Sequence, residues 1–120
     1  MKEDMTIATV IIQVCFNYFG VPIELKDNPT RKREVVQARQ FAMFFLRKYT
    51  RLSLSESGAL FLRDHATVIH ASRKIENESL LYSDTRADVE RINNRILANI
   101  QIDDFKYAHY DIDLVQYEIH

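Results

Sequence analysis

Gly20, Gly58, Pro22 and Pro29 are the only glycines and prolines in 120 residues. Folds rich in β-hairpins need residues that accept positive φ or pre-set φ at many turns. A chain with so few of them reads as helices joined by short connections, and an all-α architecture is expected for most of its length. Ile7, Val10, Ile11, Val14 and Tyr18 recur at helical spacing until Gly20 and "VP" stop the pattern. A short turn with helical character follows through Ile23 to Lys26, and then the polar, basic loop "DNPTRKR".

The next helix is expected from about Arg33 to Thr50. Val35, Ala38, Ala42, Phe45 and Tyr49 form its buried stripe, while Arg33, Gln37, Gln40, Arg47 and Arg51 lie on the opposite edge. "SLSE" has the spacing of a capping box, with Ser53 and Glu56 as reciprocal partners. The short helix it opens carries Leu54, Leu60 and Phe61 and ends near Leu62-Arg63. Asp64 is the natural N-cap of a following helix that buries Val68, Ala71 and Ile75. Two helices joined tightly, the second opening on exposed polar residues, have the outline of a helix-turn-helix.

A last helix is expected from about Arg86 to Gln101, opened by Thr85 and Asp88 at capping-box spacing, with Val89, Ile92, Ile96 and Ile100 inside. Beyond it, "FKYAHYDIDLVQYEIH" alternates with period two but slips phase midway. The pattern fits a strand with a bulge, a pair of short strands, or an edge that pairs with another molecule. The chain therefore divides into a helical domain over 1–101 and a β or irregular tail over 102–120.

Length and composition suit a single domain able to bury a core unaided, with 47% hydrophobic and 28% charged residues. No apolar run approaches the ~20 residues of a membrane span, and "MKEDMT" lacks a signal peptide's basic start. A cytoplasmic, nucleoid-associated protein with no membrane partner is expected. The single Cys15 rules out an internal disulfide or a zinc cluster. No convergent Ser/His/Asp or Cys/His spacing points to an enzyme, and the carboxylate pairs Asp103-Asp104 and Asp111/Asp113 lie in a polar tail.

The formal net charge is −1, but it is unevenly spread. Lys26, Arg31, Lys32, Arg33, Arg39, Arg47, Lys48 and Arg51 face only Asp27 and Glu34 within one stretch, whereas nine carboxylates follow Asn77. The first block suits an anion; the second repels one or masks the first. A solvated helix face accounts for the charge run equally well.

On the helix after Asp64, the ~100° step per residue places Ala66, His70 and Arg73 opposite Val68 and Ile75, with Thr67 and Lys74 at the border. Its first turn also offers unpaired amides and the positive end of the dipole. Asp64 can accept from a cytosine amino group, His65 can donate or accept, and Thr67 can meet a phosphate or a thymine methyl. Plainer roles exist for each. Asp64 serves as a cap, the histidines are ordinary surface residues, and Arg73 and Lys74 complement the dipole of a helix ending close by.

"RDHATVIHASRKIE" resembles the recognition helix of the C-terminal DNA-binding domain of the bacterial chromosomal replication initiator DnaA. "VCFNYFGVPIELK", "RKREVVQARQFAMFFLRKYT" and "LSLSESGALF" match the same domain's preceding elements in order, so the resemblance covers about Val10 to Glu76. It implies a Trp-repressor-like bundle of about five to six helices that binds double-stranded DNA. It further implies that Asp64 and His65 face the major groove with Thr67 nearby, that Arg31 enters the adjacent minor groove, and that Arg39, Gln40 and Arg47 contact phosphates.

Three departures stand out. Where the family has a Gly-Gly pair before Arg-Asp-His, this chain reads "ALFLRDH", one residue shorter with Leu62 in place of a glycine, so a changed turn geometry is expected. Ala66 replaces a hydroxyl residue that touches bases, although its methyl can still meet a thymine methyl. No Gly-x-x-x-x-Gly-Lys-Ser/Thr phosphate loop occurs, so the initiator's ATPase module is not expected here, nor any nucleotide or other cofactor.

The candidate DNA-contacting set comprises Arg31, Lys32 and Arg33 in the basic loop, Arg39, Gln40 and Arg47 on the long helix, and Ser53 and Leu54 opening the short one. Arg63, Asp64, His65, Ala66, Thr67, His70, Arg73 and Lys74 complete it. The expected function is sequence-specific binding of duplex DNA that modulates replication initiation or transcription. The competing reading is a protein-interaction module that keeps the fold and pairs with another protein or its own copy through the tail. A third reading has the carboxylates after Asn77 cover the basic edge.

Overall fold

A computed structural model of the chain describes residues 2–100; the expected tail, with its pairing role and the carboxylates from Asp103 onward, lies outside the described residues. The described residues form α1 (Lys2–Tyr18), a 3₁₀ turn (Ile23–Leu25), α2 (Arg33–Tyr49), α3 (Leu54–Ala59), α4 (His65–Leu81) and α5 (Ser83–Asn99). The architecture is an all-α bundle. No helix among them is long and apolar enough to cross a membrane.

α2 is the central element, packed on α1 along one side and on α4 along the other, and α5 closes the bundle against α1 and α4. The apolar positions spaced along each helix meet in one core: Ile7, Ile11 and Phe16 from α1, Phe45, Leu46 and Tyr49 from α2, Val68 and Ile75 from α4, Ile92 and Ile96 from α5. Cys15 is buried in that core, and desolvation pushes its thiol well above the usual range, so it packs as an unreactive hydrophobe. α1 ends on Gly20 at φ 68°, where the Val21 amide reaches the Phe16 carbonyl at 2.9 Å and the Gly20 amide reaches Asn17 at 3.1 Å. This is a Schellman termination, which places one residue in the left-handed region.

Both expected caps of the helix-turn-helix form. The Ser53 hydroxyl accepts from the Glu56 amide at 3.0 Å, and the Glu56 carboxylate accepts from the Ser53 amide at 2.8 Å. Hydrogen bonding from the Ser53 amide first, and from the Ser53 side chain second, holds the Glu56 carboxyl below its ordinary pKa. Asp64 caps α4 by accepting from the Thr67 amide at 3.0 Å.

The junction of α4 and α5 differs from expectation. α4 runs two further turns beyond Ile75, to Leu81, and α5 starts at Ser83 rather than near Arg86. The single residue Tyr82, extended at φ −122° and ψ 127°, joins them and offers no side-chain cap. Arg86 instead serves the other side of the junction, donating to the Ser79 carbonyl at 3.1 Å and the Leu80 carbonyl at 3.4 Å, two groups left open at the end of α4. Thr85 and Asp88 form no capping box because both already lie inside α5. Asp88 instead accepts from the Tyr18 hydroxyl at 2.6 Å, and the Arg95 guanidinium lies 4.9 Å from the centre of the Tyr18 ring, so α5 is fastened to α1.

Candidate nucleic-acid interface

The turn between α3 and α4 sets the direction in which α4 leaves the core. The Leu62 amide donates to the Ala59 carbonyl at 3.2 Å and the Arg63 amide to the Gly58 carbonyl at 2.9 Å, a second Schellman pair. Leu62 occupies its left-handed position at φ 53° and is 70% exposed. A non-glycine residue there costs about 1–2 kcal/mol. Phe61, fully buried, contributes roughly 1.5–3 kcal/mol by leaving water, which offsets the strain and anchors the turn. The chain thus makes with leucine a turn that glycine would make without strain.

From that turn α4 projects with its polar face outward. Asp64, His65, His70, Arg73 and Lys74 are exposed, while Ala66 and Thr67 are half-buried at the edge. The bonds from the amide and hydroxyl of Thr67, each 3.0 Å from Asp64 Oδ1, depress the Asp64 pKa, so the first turn carries a stable negative cap beside His65. Arg73 and Lys74 sit in mid-helix, since α4 continues to Leu81, and the idea that they merely complement a helix end is excluded. Lys74 reaches Gln40 Oε1 at 3.2 Å and Glu78 at 3.5 Å, tying α4 to α2.

Beside α4 lies an open depression bounded by Arg31 of the basic loop, Gln40 of α2, Arg63 of the turn, and Thr67, His70 and Lys74 of α4. Three separate stretches of sequence converge there. Arg47 lies instead in a neighbouring groove between the later half of α2 and α4, together with Lys48 and Arg73. The two concavities flank α4, which therefore has cations on both sides of its exposed face. Arg31, Lys32, Arg33 and Arg47 are exposed.

A family model described as "Bacterial dnaA protein helix-turn-helix" matches residues 8–75. The chain belongs to the bacterial DnaA helix-turn-helix family. It is 41% identical over 97 residues to the chromosomal replication initiator protein DnaA of Flavobacterium psychrophilum, covering 80% of this chain and 20% of that protein. It is 40% identical over 99 residues to DnaA of Porphyromonas gingivalis, covering 82% and 20%. To DnaA of Corynebacterium aurimucosum it is 37% identical over 90 residues, covering 74% and 16%. The chain thus spans about a fifth or less of the length of these relatives. The matched span takes in most of α1, all of α2 and α3, and most of α4, so the DnaA family region ends where the cations of α4 end. In such a motif the second helix is the one that enters a major groove.

Within this DnaA-family helix-turn-helix, three candidates differ from the rest: Arg39 borders the depression beside α4 but its guanidinium is already engaged, and Ser53 and Leu54 border neither concavity. Arg39 is 5% exposed, and its guanidinium is engaged by carbonyls of the basic loop: Lys26 at 3.0 Å, Thr30 at 3.1 Å, Leu25 at 2.8 Å, and Asn28. It lies beneath the loop, where a phosphate contact would require those bonds to open. Burial first, and the charge of Arg63 second, lower its pKa, with Asp27 acting the other way. Ser53 is occupied with its cap and Leu54 is half-buried against the core, and neither borders the two concavities. Conversely, Lys26 and Lys48 stood outside the candidate set. Lys26 donates to the Leu60 carbonyl at 2.9 Å and so ties the loop to the turn. Lys48 follows Gln40 and Phe44 at steps of four along one edge of α2, a spacing that marks it as part of the α2–α4 groove.

Proposed function

We propose that the chain is a non-enzymatic protein that binds duplex DNA sequence-specifically, at sites resembling those of the replication initiator, where it marks, competes for or modulates them. The observation that carries this reading is the shared border of Arg31 and the exposed edge of α4. A loop arginine and the outward residues Thr67 and His70 meet at one depression, with Arg47 and Arg73 on the far side of the same helix. A major-groove helix flanked by backbone-neutralising cations, with an arginine able to reach an adjacent minor groove, is how direct and shape readout combine. Asp64 and His65 on the first turn face base edges, and Arg47 with Arg73 faces the sugar-phosphate wall. Neither a nucleotide nor a metal has a part in this function.

Two departures, the missing glycine pair and Ala66, favour the competing reading of a fold that has lost DNA binding. Leu62 holds the left-handed turn nonetheless, which supports the DNA-binding reading.

The test is an anisotropy titration of the full chain against duplexes selected from a random pool. Affinity is expected to fall with a log–log salt slope of about −3 to −5, matching three to five phosphate contacts. Arg31→Ala and His65→Ala should relax sequence preference, whereas Arg47→Ala should weaken every duplex alike. Absence of binding to any duplex at low salt would defeat the proposal.

A further inference from the structure

The end of the 3₁₀ turn and the basic loop after it leave backbone carbonyls with acceptor capacity that no α-helix or sheet uses. In this protein they are satisfied by cationic side chains from elsewhere. Arg39, from the buried side of α2, binds the carbonyls of Leu25, Lys26, Asn28 and Thr30. Arg63, from the turn before α4, donates through Nη2 to the Asn28 carbonyl at 3.2 Å and through Nη1 to the Phe61 carbonyl at 2.9 Å. Two guanidinium groups therefore converge on one backbone oxygen, that of Asn28, and Lys26 runs back from the loop to the Leu60 carbonyl. Like charges are not drawn together by their own interaction, so the arrangement exists because the loop's carbonyls hold them. The result is a polar lock between the loop that carries Arg31 and the turn from which α4 departs.

We infer that Arg39 and Arg63 are positioning residues, not phosphate ligands, and that their joint hold on Asn28 fixes the distance between the minor-groove reader Arg31 and the major-groove reader α4. This inference rests on the DNA-binding reading above and deepens it. Rigid placement is what a two-groove reader needs, because each element is productive only at one offset from the other along the duplex. A loop ordered before binding also avoids the cost of ordering it on the DNA. Arginine suits the task because its planar fork of five donors can serve four carbonyls at once, whereas the ammonium of lysine has only three donors at a single point.

Lysine substitution separates the two roles. A lysine keeps the charge and remains a good phosphate ligand, but it cannot hold four carbonyls. If Arg39 is a positioning residue, Arg39→Lys keeps the salt slope of the parent chain and loses roughly tenfold in discrimination at the base pairs read by Arg31. Adding Arg31→Ala to Arg39→Lys then costs little further discrimination, since the two act as a unit. Without DNA, the variant is cut by trypsin at Arg31, Lys32 or Arg33 about tenfold faster, because cleavage needs a loosened loop. Arg63→Lys should give the same pattern in weaker form, having one bond to the loop to lose.

The opposite results overturn the inference. An Arg39→Lys chain with parental discrimination and parental tryptic rate, paired with an Arg39→Met chain whose salt slope is shallower by about one, makes Arg39 a phosphate contact. Should the parent chain bind no duplex, the functional reading fails, while the tryptic rates still decide whether the lock exists. Circular dichroism of each variant verifies the fold, and Arg39→Lys decides alone if Arg39→Met does not fold.

Discussion

The amide of Arg63 donates to the carbonyl of Gly58 at 2.9 Å, and a Cβ on Gly58 would stand only 2.4 Å from the carbonyl oxygen of Arg63. The last turn of α3 and the entry to α4 thus touch backbone to backbone, and the departure direction of α4 depends on that contact. The obstacle to a side chain at this position is main chain, which has no rotamer to yield. Gly58→Ala is expected to lower stability by about 2–3 kcal/mol, measured by urea unfolding, and to weaken duplex binding by displacing α4. A variant of parental stability and affinity would show that the turn can shift without consequence.

Leu62 gives the opposite prediction. Its left-handed φ of 53° is strained, and its side chain is too exposed to repay the strain by packing. Leu62→Gly removes about 1–2 kcal/mol of strain and adds roughly 0.5–1 kcal/mol of unfolded-state entropy. A net gain of about 0.5–1 kcal/mol should raise the urea midpoint, and a loss would mean that the leucine makes a contact of its own.

The Ser57 hydroxyl, in α3 just before that turn, is buried without a hydrogen-bond partner. Removing an unsatisfied buried hydroxyl and improving helix propensity act in the same direction. Ser57→Ala is expected to stabilise the domain by about 1 kcal/mol with no change in its circular dichroism. A destabilised variant would reveal a bound water or another partner for the hydroxyl.

Asp64 links the recognition helix to pH. Its carboxyl titrates below the ordinary aspartate range because the Thr67 amide, and then the Thr67 hydroxyl, bind the ionised form. A depressed native value means that the cap's contribution is complete above the unfolded-state pKa and is lost as pH falls through the native one. Asp64→Ala should therefore unfold at lower urea than the parent at neutral pH, with the difference closing in strong acid. A gap that persists undiminished in acid would show that the carboxylate is not the capping group.

Much of the fold was legible because the signals are local. The stripe of Val35, Ala38, Ala42, Phe45 and Tyr49 is buried as its period requires, and Ser53 and Asp64 cap the helices that follow them. A cap needs only partners three residues away, so it can be read from a few letters. Thr85 and Asp88 have the same spacing and fail. Tyr82 and Arg86 already close the end of α4 against the start of α5, and Asp88 is taken by Tyr18, 70 residues earlier. Arg39 teaches the same lesson at the site. The period of α2 leaves it off the basic edge, beside the buried stripe, and only the family resemblance placed it among the phosphate ligands.

The sequence by itself determined the helices, their buried faces, the two caps of the helix-turn-helix and the family, because periodicity and short-range hydrogen bonding act within a few residues of one another. Tertiary structure alone decided which cations share a surface, which one is spent beneath the loop, and how α4 leaves the core. Those outcomes depend on carbonyls and backbone atoms supplied by other elements, from Leu25 to Thr30 for Arg39 and from Arg63 for Gly58. No spacing in the chain records a partner that only folding brings near.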